Sequence, residues 1–134
     1  MSLKAKIIKT IPTAETLRIN RSKGSAVCQC RIFTYTDKDT NQIVTIIPAL
    51  DISGYGDTES KAREMLDSSI DFFFNSLFGL TSAKMERELI KMGWRRKNLH
   101  HKEFSKAYID GAGQLKDFNA VEDKVQVEME TITL

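Results

Sequence analysis

The chain has 134 residues, 41% apolar and 28% charged, with 20 basic against 18 acidic side chains. That composition fits one globular domain with a single core; it excludes a disordered chain and argues against a protein that coats polyanions through net charge. Two cysteines, Cys28 and Cys30, are too few for a disulfide scaffold, and no apolar run approaches the ~18 residues of a membrane span.

From the N-terminus, Met1 to Ile8 holds no apolar stretch of signal-peptide length, because lysines interrupt it. A cytoplasmic location, no membrane partner and two free thiols are expected, and Ser2-Leu3 is given no weight. Lys6 to Ile11 is a short β-branched run closed by Pro12. Leu17 to Arg21 alternates apolar and polar residues, and Ala26 to Thr36 is the clearest strand. Within it, Cys28 and Cys30 face one side of the sheet and read as small core residues. Asp37 to Asn41 is a turn cluster, and Gln42 to Ile47 resumes the β-branched run, so 26–36 and 42–47 form an antiparallel hairpin. Pro48 ends that strand.

Gly54-Tyr55-Gly56-Asp57-Thr58 reads as a second turn leading into the strongest helix, about Thr58 to Phe78. Ala62, Met65, Leu66, Ser69, Ile70, Phe73, Leu77 and Phe78 keep the i, i+3, i+4 rhythm of one apolar face. Phe72, Phe73 and Phe74 cannot share that face, since adjacent helical positions lie about 100° apart. One of them therefore points elsewhere, towards the next helix or a partner chain. Gly79 is placed as a left-handed cap. A shorter helix runs from about Ser82 to Met92 with Met85, Leu89 and Met92 on one side, and Gly93 ends it. Trp94 to Leu99 returns as a strand, 110–120 reads as a loop, and the alternation of Val125, Val127 and Met129 predicts a closing strand, half buried at most. Strands and helices are segregated, which predicts an α+β fold: an antiparallel sheet with one long helix on one face and a short second helix, all in a single domain over 1–134.

No catalytic set emerges, and no cofactor or metal is expected. The only histidines, His100 and His101, lie in a basic segment, and no Gly-x-Ser-x-Gly elbow is present. Gly54 and Gly56 lack a third glycine, and Asp57 at the helix start would repel a phosphate. Asp37, Asp39 and Asn41 open like a calcium loop, but Gln42 stands where the glycine belongs. Cys28 and Cys30 supply two thiols where structural zinc takes four ligands. Charge is segregated: residues 84–106 carry eight basic against three acidic side chains, and 107–134 two basic against six acidic. Trp94, Arg95, Arg96, Lys97 and Lys102 are thus candidates for nucleic-acid binding, cations on phosphates and Trp94 on a base. The alternatives are a solvated basic loop with Trp94 in the core, or opposite patches meeting across an interface.

Gln42-Ile43-Val44-Thr45-Ile46-Ile47-Pro48-Ala49-Leu50 resembles the second strand of the HicB family of bacterial antitoxins. Gly56-Asp57-Thr58 resembles that family's helix entry, and Glu59 to Leu66 its alanine-bearing helix. The resemblance covers a quarter to a third of the chain. It implies a β-β-β-α-β domain of partial double-stranded-RNA-binding type. It further implies a non-enzymatic antitoxin-like role against a small RNA-cleaving HicA-type toxin, and assembly as a homodimer or larger homo-oligomer. Leu50, Asp51 and Tyr55 are the candidate partner contacts. Here Asp51-Ile52-Ser53 follows Leu50 where the family continues Pro-Gly-Cys, Lys61 stands where it carries an acid, and Trp94 to Leu134 does not read as a helix-turn-helix.

Overall fold

A computed structural model describes residues 15–96, 100–102 and 125–134. The expected run 6–11 and the 110–120 loop lie outside them. Four strands come first: β1 (Glu15–Asn20), β2 (Ser25–Thr36), β3 (Ile43–Ile47) and β4 (Ile52–Gly56). Helices α1 (Glu59–Phe78) and α2 (Ser82–Lys91) follow, then β5 (Trp94–Arg96), β6 (His100–Lys102) and β7 (Gln126–Thr133). All strand pairings are antiparallel, and the fold is α+β with its two helices consecutive in the chain.

β2 is the spine. Its residues 25–29 pair with β1, 33–36 with β3, and 27–34 with β7. A strand has only two edges, so β7 runs along one and β1 and β3 share the other end to end. β4 extends the sheet beyond β3, and β6 and β5 extend it beyond β1. Between β1 and β3 the amide of Arg31 meets a side chain. Glu15 fills the gap: Oε2 accepts from the Arg31 amide at 3.0 Å and Oε1 from Arg31 Nη1 at 3.1 Å. A buried backbone donor would otherwise be costly to leave unmade. Burial lowers the Arg31 pKa from its ordinary value, and the Glu15 carboxylate opposes that shift.

The expected turn at Gly54–Thr58 is instead mostly strand. Both glycines are needed because α1 crosses β4 almost in backbone contact. A Cβ on Gly54 would lie 2.4 Å from the Ala62 oxygen, and one on Gly56 would lie 2.7 Å from the Lys61 Cβ. Asp51, in the left-handed region at φ 54°, turns the chain from a 3-10 turn at Pro48–Leu50 into β4. Thr58 caps α1, its Oγ1 accepting from the Lys61 amide at 3.1 Å. Gly79 is not left-handed: at φ −75° it stays helical, its amide bonded to Asn75 and Leu77 oxygens, so the chain passes directly to Thr81, the cap of α2.

The core lies between the helices and one sheet face. α1 contributes Leu66, Ile70, Phe74 and Leu77, α2 contributes Met85 and Leu89, and the strands contribute Leu17, Cys28, Cys30, Ile32, Ile47 and Trp94. Both cysteines are free and fully buried. β7 is half buried, as expected: Val127, in register with Phe33, is 2% exposed, while Thr131 and Thr133 are exposed.

Candidate partner-binding groove

α1 carries two stripes, one apolar and one mixed. The inner one (Ala62, Leu66, Ile70, Phe74, Leu77) is buried. The outer one begins at Met65, continues through Ser68, Ser69 and Phe72, and ends at Ser76. Of the aromatic triplet, Phe74 is 1% exposed and Phe72 is 76% exposed; Phe73 is half-buried and meets Phe74 edge-on, ring centres 5.1 Å apart.

The outer stripe is one wall of an open groove of about 1030 Å³. Leu50, Asp51, Ile52 and Ser53 form the facing wall, and Leu80, Glu88 and Met92 close one end. Ser69 and Ser76 hold their hydroxyl protons inside the fold. Ser69 Oγ lies 3.1 Å from the Met65 oxygen and 3.2 Å from the Ser53 oxygen, and Ser76 Oγ donates to the Phe72 oxygen at 2.8 Å. Covering them therefore strips few unpaired donors of water.

Two of the three candidate contacts meet here. Asp51 is exposed at the rim, and Leu50 is buried beneath the wall as part of the floor. Tyr55, 52% exposed, pairs in register with Val44 on the opposite sheet face, so it does not share the groove. Met65, Ser68, Phe72 and Ser76 were not singled out as site residues. The Phe72–Phe74 triplet was their signal in the sequence.

A second polar link anchors α1. Arg63 holds Asp67 Oδ1 at 2.8 Å and reaches across to β7, where both oxygens of Glu130 accept from its guanidinium, one of them at 2.9 Å. The Arg63 guanidinium keeps the Glu130 carboxyl below its ordinary value and is itself raised. Cys30 lies in register with Glu130 and beside Cys28. The Cys28 thiol, burial and the nearby Glu15 and Glu130 carboxylates all push its thiol pKa up, so it stays protonated and unreactive.

In the basic segment Trp94 is fully buried against α2, which places the indole in the core. Arg95 is exposed, and β5–β6 pairing sets Arg95 opposite His101, Arg96 opposite His100, and Trp94 opposite Lys102. Lys97 lies outside the described residues. Among the described residues no cluster of three or more His, Cys, Asp or Glu is placed to hold a metal ion, and no helix is long and apolar enough to cross a membrane.

No family model, curated protein or solved structure matches the chain.

Proposed function

We propose that the chain is a cytoplasmic, HicB-like antitoxin-type binding module. It acts without catalysis, as a homodimer or larger homo-oligomer, by covering a small RNA-cleaving protein of HicA type. The observation that carries this reading is the open apolar groove between α1 and the Pro48–Ser53 segment, the same segment that bears the family resemblance. A rigid sheet supports it, and Phe72 stands free on its wall. Large exposed apolar side chains around a concavity mark a protein interface more readily than a catalytic cleft.

The test is biochemical. The purified chain is titrated into a purified HicA-type RNA-cleaving protein while cleavage of a reporter RNA is followed. Cleavage should vanish at stoichiometric addition; unchanged cleavage at excess rejects the antitoxin role.

A second reading, nucleic-acid binding, is favoured by one observation: exposed Arg95 stands on the β5–β6 hairpin opposite His101. With Trp94 enclosed, it would act through cations alone. Gel shifts at two ionic strengths should then show steep salt dependence, lost in the Arg95→Ala, Arg96→Ala double variant. No shift at low salt removes this reading.

A further inference from the structure

We infer that the groove seats an amphipathic helix of a partner protein, presented with lysine or arginine beside its apolar face. The inference rests on the binding-module reading above and names the chemistry of what that site takes.

Charge is the first argument. The groove walls include two acids, Asp51 and Glu88, and no base. Two cations approach it, Lys91 at 3.4 Å from Glu88 and Arg21 on the Leu80 carbonyl, and both are engaged there. From Glu64 to Ala83 the sequence has three acids and no base, and Glu64, Asp67 and Asp71 are all exposed. The last turn of α1, which ends in the groove, carries no basic residue to offset the negative end of its helix dipole. Glu88 is already met by Lys91 and Asp67 by Arg63, so the gain of a cationic partner falls mainly on Asp51, where an acidic partner is repelled.

Shape is the second. Met65 and Phe72 stand on α1 with Ser68, Ser69 and Ser76 around them, so large side chains alternate with low points where another helix can approach closely. An extended strand would find less. At β4 the Ser69 hydroxyl already lies 3.2 Å from the Ser53 carbonyl, crowding an acceptor that strand addition would use. Phe72, solvated and central on the wall, is the natural anchor. Such a partner also suits the function proposed above, since a protein that cleaves RNA needs a basic surface to hold phosphates.

The probe is a labelled synthetic leucine–lysine amphipathic helix, with a leucine–glutamate helix and a lysine-matched, sequence-scrambled peptide as controls. Binding to the full chain is followed by fluorescence anisotropy. Only the leucine–lysine helix should bind. Phe72→Ser should weaken it by about ten-fold or more, and Asp51→Asn with Glu88→Gln should flatten its salt dependence. Unchanged circular dichroism melts show that these surface variants fold. Three results overturn the inference: no binding, equal binding of either control, or binding indifferent to Phe72→Ser. So does a light-scattering mass showing a dimer that Phe72→Ser dissociates, because a second copy then fills the groove. Toxin neutralisation is measured in parallel. Peptide binding without neutralisation rejects the antitoxin role and keeps the groove; neutralisation untouched by Phe72→Ser rejects the groove and keeps the role.

Discussion

The two stripes of α1 each carry a phenylalanine and have opposite fates. Phe74 and Phe72 are two residues apart, yet one is enclosed and the other stands in solvent. Position, not hydrophobicity, separates them. The stripe that is buried is the one that Gly54 and Gly56 let down onto β4. The outer stripe has no element laid over it among the described residues, and two of its serines, Ser69 and Ser76, spend their protons within the fold.

Substitutions should bring the contrast out in order of size. Phe74→Ala should cost about 4 kcal/mol in denaturant unfolding, the loss of a buried aromatic with its cavity. Gly54→Ala should cost about 3 kcal/mol, because the new Cβ meets backbone atoms of α1 that cannot rotate away. Glu130→Gln, which cuts the tie from β7 to Arg63, should cost about 0.5–1 kcal/mol, the scale of a half-exposed ion pair. That tie also sets a pH dependence. Because the folded state lowers the Glu130 pKa below its ordinary 4.5, its contribution is full above that value. It fades as the pH falls through the lowered one. Acid titration of the Glu130→Gln variant should therefore lack part of the wild-type loss. Phe72→Ala should shift stability by less than about 0.5 kcal/mol, within the range of surface changes. A large loss there would mean that the outer stripe is covered after all.

Much of the architecture was legible. The Asp37–Asn41 turn, the helix start near Thr58, the helix–glycine boundary at Gly93 and the placing of Cys28 and Cys30 on one face all follow from local chemistry, which needs no partner to be read. The errors share a cause: each depended on something distant in sequence. Gly54 and Gly56 looked like turn formers because glycine serves both turns and close approaches, and only the position of α1 distinguishes the two. Gly79 kept a helical φ because Thr81 opens the next helix at once. The groove was half visible. Asp51 and Leu50 were named from their place after Pro48, whereas Phe72 entered only as the member of a triplet that had to point away.

The position of β7 sets the order in which this protein can be completed. β2 emerges early, and its neighbours β1 and β3 flank it closely in the chain, so one of its edges is paired almost as soon as it is made. The other waits until the ribosome has passed Thr133, which pairs with Val27. During that interval a long row of amides and carbonyls stays open to other nascent chains. Long-range pairing of this kind is slow to close, so β7 acts as the seal on that edge of the nascent sheet.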